Sequence, residues 1–204
     1  MKRWILSLAL CLCLCLTICG LCGRAEAADV VASGNCGQSG ANVTWSLDSA
    51  GTLTISGSGK MKDWSNPSDM PWNSNKSSIK SVTIGNGVTS IGCNAFNGCT
   101  WLTSISLSES VTSIGYSAFE GCMSLKNISL PGGVTSIGYS AFEGCTGLTN
   151  INLPESVTSI GGWAFYGCAG LTSISLPDGV TSIGDYAFYG CAGLTSISLP
   201  DGVT

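Results

Sequence analysis

Acidic side chains recur at fixed positions along this 204-residue sequence and are the first candidates for chemistry. They form two columns, one of four members and one of two: Glu109, Glu155, Asp178 and Asp201, then Glu120 and Glu143. Stacked along a repeat axis, neighbouring carboxyl groups would lie about 5 Å apart, which is the separation of the acid pair in retaining glycosidases. That spacing follows from stacking alone, and no apolar neighbour is present to raise one pKa. We therefore interpret both columns as solvated turn residues, with too few oxygen ligands for calcium.

Cysteine is the second candidate, because the sequence contains 12 Cys and no His. Without His there is no Ser-His-Asp or Cys-His nucleophile pair and no imidazole ligand for a metal. One repeat position holds a ladder of Cys99, Cys122, Cys145, Cys168 and Cys191. Their Cβ atoms are expected about 5 Å apart, too far for a disulfide, and no Cys-x-x-Cys zinc motif follows residue 27. We predict buried thiols that donate weakly to the backbone, with neither metal nor cofactor. A disulfide between Cys36 and Cys93 remains an alternative, since secretion permits oxidation.

Aromatic side chains beside a column of Phe residues are the candidates that we favour for partner binding. They occupy positions that face outward or sit on the rim of the predicted core: Tyr116, Tyr139, Trp163, Tyr166, Tyr186 and Tyr189. Tyr and Trp supply much of the binding energy in protein interfaces, and their rings also stack on sugars. Half-buried packing at the edge of the core is the alternative interpretation.

Small polar side chains form a further candidate surface. The outward positions of one predicted strand carry Ser104, Ser106, Asn127, Ser129, Asn150, Asn152, Ser173, Ser175, Ser196 and Ser198. A second segment carries a column of Thr89, Thr112, Thr135, Thr158 and Thr181. These faces either dock a partner by hydrogen bonding or are solvated surface that suits a β-strand. The lack of large, variable side chains favours solvated surface.

All of these columns arise because the sequence repeats every 23 residues from Val88 onward. Each copy reads Val-Thr-Ser-Ile-Gly, then Ala-Phe, Gly-Cys and Leu-x-x-Ile-x-Leu. One such unit cannot bury its own apolar face, so the repeat predicts a β-rich solenoid of stacked coils. Residues 102–107 have the alternation of a strand that Pro closes in later copies, and residues 111–114 form a second extended segment. Gly115 then permits a turn, and Ala118-Phe119 fit a single helical or 3-10 turn.

The region before the repeat predicts a cap, which a solenoid needs to cover the open end of its first coil. Apolar and polar residues alternate over residues 43–47 and 53–55, and a Gly-containing turn separates them, which indicates a β-hairpin. Residues 60–78, with Trp64, Met70 and Trp72, are expected to pack onto the first coil as an irregular connection. We assign residues 28–78 to the cap and residues 79–204 to the solenoid.

Residues 1–27 have the pattern of a secretory signal peptide. A basic start precedes an apolar run from Trp4 to Cys22, and Ala25-x-Ala27 has the form of a cleavage site. The run is nearly long enough to span a bilayer, so an uncleaved anchor is the alternative. Cleavage after Ala27 would change the net charge from −4 to −6 and leave no basic residue after Lys126. This balance argues against nucleic acid and against anionic membranes as partners.

The repeat resembles the BspA-type (Treponema-type) leucine-rich repeat family of bacterial surface proteins. The pattern that carries the resemblance is Cys122-x-x-Leu125-x-x-Ile128-x-Leu130-Pro131-x-x-Val134-x-x-Ile137-Gly138-x-x-Ala141-Phe142. The resemblance covers residues 79–204, and the segment before them is similar to the N-terminal cap that accompanies such repeats. It implies a secreted or cell-surface binding protein, often adhesive, and no catalytic activity.

We therefore predict a non-catalytic module that binds a protein or glycan surface outside the cell, built on a right-handed solenoid. The alternatives are a carbohydrate-active enzyme that uses the carboxylate columns and a passive spacer for another domain. The sequence stops at Val203-Thr204, within a sixth repeat, and no polar cap follows. We expect either a fragment of a longer protein or self-association through the open last coil.

Overall fold

The fold was obtained as a computed structural model that describes residues 28–203. The predicted signal peptide, residues 1–27, lies outside the described residues. The strands are β1 (Val30–Gly37), β2 (Gly40–Asp48), β3 (Thr52–Gly57), β4 (Gly59–Lys60), β5 (Ser81–Ile84), β6 (Val88–Ile91), β7 (Ser104–Ser106), β8 (Ser113–Ile114), β9 (Asn127–Ser129), β10 (Ser136–Ile137), β11 (Asn150–Asn152), β12 (Ser159–Ile160), β13 (Ser173–Ser175) and β14 (Ser182–Ile183). Two 3-10 helices lie in the connection from the cap to the coils: Pro67–Asp69 and Asn73–Ser78.

The cap is built on the predicted hairpin. Val43, Trp45 and Leu47 of β2 are buried, and β2 pairs with β3 in antiparallel orientation. Asp48 closes the connecting turn because its Oδ1 accepts the N–H groups of Ala50 at 3.0 Å and Thr52 at 2.8 Å. These hydrogen bonds, the one from the Thr52 N–H above all, lower the pKa of the Asp48 carboxyl. β1, which the sequence did not predict, adds a third antiparallel strand, and β3 pairs in parallel with β5.

The predicted solenoid is confirmed, and its coils stack through parallel ladders. One six-stranded sheet has the order β14-β12-β10-β8-β6-β4. A five-stranded sheet, β1-β2-β3-β5-β7, continues from the cap into the first coils, and β9, β11 and β13 form a third sheet. Pairing joins equivalent residues of successive coils, so Ile137 lies between Ile114 and Ile160. Because the register equals one repeat, every position of the repeat becomes a column along the axis.

The third side of each coil contains the predicted single turn, because the Glu120 N–H donates to Ser117 O at 3.2 Å around Ala118-Phe119, and this turn does not extend into a helix. The N–H of Cys145 donates to Phe142 O at 3.1 Å, but Ser140 and Gly144 on either side have φ of 52° and 67°. Left-handed residues at this interval interrupt any helix. Neighbouring turns are tied together instead, because the Phe142 N–H donates to Ala164 O in the next coil at 2.8 Å.

A turn begins after the glycine that follows each Val-Thr-Ser-Ile, as predicted, and the structure gives a further reason for glycine at this position. A Cβ at Gly138 would lie 2.6 Å from the carbonyl oxygen of Gly115, one coil away. Glycine is therefore required there for close approach of two backbones and not for a positive φ.

A stack of aromatic rings runs through the core along the axis. Phe142 is fully buried, with Phe119 and Phe165 stacked on either side at centroid distances of 5.3 and 5.4 Å. The stack begins in the cap, where Trp72 lies 5.8 Å from Phe96 and donates its Nε1–H to Ala95 O at 2.9 Å. Burying each ring contributes roughly 1.5–3 kcal/mol, so this column joins the cap to the coils through the core.

Candidate functional site

The six candidate aromatic residues lie on the turn side of the coils and separate into two groups. Tyr116 and Tyr139 form a pair, with ring centroids 6.1 Å apart and an interplanar angle of 54°. The other group, called the aromatic quartet below, consists of Trp163, Tyr166, Tyr186 and Tyr189. Tyr186 and Tyr189 are 59% and 60% exposed, whereas Trp163 and Tyr166 are half-buried.

The rings of the aromatic quartet pack against one another across two coils. Trp163 stacks on Tyr166 at 4.5 Å, and Tyr166 stacks on Tyr189 at 5.2 Å, with interplanar angles of 19° and 13°. Tyr186 makes edge contacts with Trp163 at 5.7 Å and with Tyr189 at 5.9 Å. The four side chains thus form one connected patch whose outer members are Tyr186 and Tyr189.

Two members of the aromatic quartet have an unusual backbone conformation. Trp163 and Tyr186 have φ of 60° and 57°, in the left-handed region that bulky residues rarely adopt. The same column holds smaller residues in the earlier coils: Asn94, Ser117 and Ser140. The Trp163 N–H donates to Asp185 O at 2.9 Å, which helps to hold the conformation. Each such residue costs roughly 1–2 kcal/mol, so both rings are placed against a backbone preference.

Gly162 brings the pair towards the aromatic quartet. A Cβ at Gly162 would lie 3.1 Å from Cε2 of Tyr139, so the Tyr139 ring rests over this glycine. Trp163 is the next residue in the chain. The glycine replaces the Tyr of the two preceding coils and leaves space for the ring to lean along the axis.

The aromatic quartet lies in a part of the chain that carries carboxylates and no cation. After Lys126 the sequence holds no Lys or Arg, and its acidic residues are Glu143, Glu155, Asp178, Asp185 and Asp201. Glu143 occupies the repeat position of Tyr166, one coil earlier, and Asp185 directly precedes Tyr186. The surface around the quartet is therefore negative.

The column of four carboxylates is exposed on turns, as the sequence predicts, whereas Glu120 and Glu143 of the second column are half-buried. Glu109, Glu155, Asp178 and Asp201 are exposed, and Glu120 is half-buried and accepts a hydrogen bond from Asn97 Nδ2 at 3.1 Å. Among residues 28–203 there is no group of three or more His, Cys, Asp or Glu arranged to hold a metal ion.

The cysteine ladder has the predicted packing role. Sγ of Cys122, Cys145 and Cys168 donates to Phe96 O, Phe119 O and Phe142 O respectively, at 3.0–3.1 Å. Burial raises the pKa of Cys99 and Cys168 to about 12 and raises those of Cys122 and Cys145 well above the usual value. Such thiols are protonated and poor nucleophiles.

Cys36 and Cys93 are both free thiols, so the disulfide that the sequence left open does not form. The chain from Lys62 to Trp64 runs between them. The Lys62 N–H donates to Cys36 O at 2.8 Å, and the Trp64 N–H donates to Cys93 O at 3.2 Å. Two backbones separated by a third are beyond disulfide reach.

The polar faces differ in what they offer to a partner. Hydroxyls of the Thr column donate to carbonyls one coil earlier, as Thr112 Oγ1 does to Thr89 O at 3.2 Å and Thr158 Oγ1 does to Thr135 O at 3.3 Å. The Ser and Asn side chains of β7, β9, β11 and β13 are exposed. Of the two faces, the Ser/Asn face is the one that remains a candidate surface.

Sequence reasoning missed a groove of about 420 Å³ beside Tyr116. It lies between the cap and the coils, and its lining includes Lys60, Asp63, Cys93 and Ser136. No periodic signal could have found it, because it depends on where the irregular cap connection meets the repeats.

Comparisons with known proteins agree with this architecture. A family model described as the BspA type leucine rich repeat region matches residues 73–195 in six copies. A leucine-rich repeat protein from T. pallidum is similar in structure, with 28% identity and a TM-score of 0.65, over 78% of this chain and 81% of that one. Comparison with curated proteins gives no significant match.

Two further solved structures are similar over about half of their own length. A leucine rich cell surface protein from Faecalibacterium prausnitzii has 28% identity and a TM-score of 0.51, over 83% of this chain and 55% of that chain. A leucine-rich repeat protein from Bacteroides ovatus has 26% identity and a TM-score of 0.52, over 79% and 53%. None of the helices within residues 28–203 is long and apolar enough to cross a membrane.

Proposed function

Because the chain belongs to the BspA-type leucine-rich repeat family, we propose that it is a non-catalytic module that binds a protein or glycan outside the cell. Family membership and the likeness to a cell surface protein support a binding or adhesion module at the cell surface. We further propose that the target is a protein or a glycan and that it binds on the turn side of the solenoid.

The observation that carries the proposal is the aromatic quartet. Stacked coils form a rigid support, and the quartet is a connected patch of Tyr and Trp on its surface. Trp163 and Tyr186 adopt left-handed backbone conformations that oppose folding by roughly 1–2 kcal/mol each. Aromatic residues that cost stability and remain accessible are expected where a partner repays that cost.

An enzyme and a passive spacer remain the competing functions. The carboxylates lie on turns without an apolar cleft around them, which gives no means of keeping one of a pair protonated. Leucine-rich repeat proteins are generally non-catalytic. A spacer would need the stacked coils, but it would not need two bulky rings at left-handed positions.

The proposal is tested by binding of the chain to an array of matrix proteins and neutral glycans. The double variant Tyr166→Ala/Tyr189→Ala should lose binding by tenfold or more, because truncating interface aromatics typically costs about 2 kcal/mol or more. Tyr116→Ala/Tyr139→Ala is the matched control and should bind almost as the parent does. Circular dichroism must show that both variants keep the fold.

The other outcomes would assign a different role. Unchanged binding by Tyr166→Ala/Tyr189→Ala would move the site to the exposed Ser/Asn face. Absence of any binding would favour the spacer. Glycan hydrolysis that is lost on Glu120→Gln would identify an enzyme.

A further inference from the structure

We propose that the aromatic quartet recognises a cationic segment, rich in Arg or Lys, of a protein partner. This inference rests on the proposed binding function and names the chemistry of the partner. It depends on the charges around the quartet and on which of its ring faces are stacked on other rings of the quartet.

The charge distribution favours a cation. From Asn127 to the end of the sequence there are carboxylates and no Lys or Arg. Two carboxylates are next to the quartet. Glu143 occupies the repeat position of Tyr166 one coil earlier, and Asp185 directly precedes Tyr186 in the sequence. Complementary charge speeds association and discriminates among partners, so a basic segment is attracted while sulfated or uronic glycans and nucleic acids are repelled.

The arrangement of the rings favours side chains over sugar rings. Trp163 and Tyr166 stack on each other, and Tyr166 also stacks on Tyr189, which leaves less open ring face on which a sugar could stack. Tyr186 and Tyr189 project further, and both are more than half exposed. An Arg guanidinium is planar, stacks on such rings and pairs with carboxylates at the same time.

The combination is particular to the last two coils. In the preceding two coils, Tyr116 and Tyr139 are followed by small left-handed Ser residues and then by Glu120 and Glu143. Trp163 and Tyr186 take the place of those Ser residues, and Tyr166 and Tyr189 take the place of those Glu residues. The quartet therefore places aromatic rings at repeat positions that hold Glu in the preceding two coils. Glu143, the second of these Glu residues, lies one coil before Tyr166.

The test measures binding of the full chain to three probes: a tetra-arginine peptide, a neutral chitin hexasaccharide and a heparin oligosaccharide. We expect the peptide alone to bind, and its affinity should fall severalfold at high salt because exposed charges are screened. Tyr186→Ala/Tyr189→Ala should weaken peptide binding by about tenfold or more. Glu143→Gln and Asp185→Asn should each weaken it by about two- to fivefold.

Matched controls separate a site from general attraction. Glu155→Gln and Asp178→Asn remove the same charge from the same half of the chain, at another repeat position, and should change the affinity by less than about twofold. Equal losses in all four charge variants would overturn the inference. So would salt-independent binding of the chitin hexasaccharide that Tyr186→Ala/Tyr189→Ala abolishes, although the proposed binding function would then stand. If the quartet variants affect no probe and no array target that the parent chain binds, this inference fails and the binding site lies elsewhere; if the parent chain binds no probe and no array target at all, the proposed binding function fails as well.

Discussion

The buried thiol ladder predicts that this protein loses stability steeply in alkaline solution. Cys99, Cys122, Cys145 and Cys168 have no exposed surface, and burial is the largest cause of their raised pKa values. In the unfolded chain the same thiols ionise near pH 9. Raising the pH above 9 therefore releases protons from the unfolded state and not from the folded state. By linkage, stability is full below pH 9 and falls between about pH 9 and pH 12.

The expected loss is large. A thiol with a pKa of 9 unfolded and about 12 folded contributes roughly 1 kcal/mol of destabilisation between pH 8 and pH 10. Several such thiols titrate over the same interval, so the free energy of unfolding should fall by several kcal/mol, on the order of 5 kcal/mol. That is comparable with the whole stability of a typical domain.

The assay is urea unfolding followed by circular dichroism at several pH values, with a reductant present. The informative quantity is the difference in pH dependence between variants, because it isolates the contribution of one thiol. Cys145→Ala should reduce the pH-dependent loss by the contribution of one fully buried thiol, whereas Cys191→Ala, at a less buried thiol, should reduce it less. A chain equally stable at pH 8 and pH 10, or the same slope with and without Cys145, would refute the reasoning.

Three further predictions concern packing, and urea unfolding measures each. Phe142→Ala should cost about 3–5 kcal/mol, and Phe188→Ala should cost less, because Phe188 is only partly buried. Equal costs would contradict the stacked core. Gly138→Ala should cost about 1–3 kcal/mol because its Cβ meets backbone, whereas Gly132→Ala, with nothing within 4 Å, should be close to neutral. Trp72→Phe should cost about 1–3 kcal/mol by leaving the buried Ala95 carbonyl without its indole donor, and an unchanged midpoint would show that this bond is dispensable.

Periodicity was sufficient to predict the solenoid, because its register depends on repeat length alone. A fixed repeat places Phe above Phe and Cys above Cys, so core stack and thiol ladder could be inferred without coordinates. β1 could not be inferred in the same way, since Val30–Gly37 has little alternation and becomes a strand through pairing with β2. The left-handed conformations of Ser140 and Trp163 could not be inferred either, because their residue types do not indicate them.

The candidate site was predictable as a set of residues but not as an arrangement. All six aromatic residues are accessible to some degree, as their place beside the Phe column suggested. Their division into a pair and the aromatic quartet depends on ring orientation, and on the space that Gly162 leaves for Tyr139. Side-chain directions at left-handed positions do not follow from periodic patterns, which describe strands and helices.

Stacking also explains why new binding chemistry can arise in this fold without loss of the core. Inward positions are constrained on both sides by the coils above and below, as Phe142 is by Phe119 and Phe165. Positions on the turn side differ between coils, and two adjacent coils carry aromatic residues in place of Ser and Glu while the Phe column stays unchanged. The cost falls on the local backbone at Trp163 and Tyr186 and not on the packing between coils. An interaction surface on this scaffold is therefore expected where successive coils share a departure from the repeat, and the aromatic quartet meets that description.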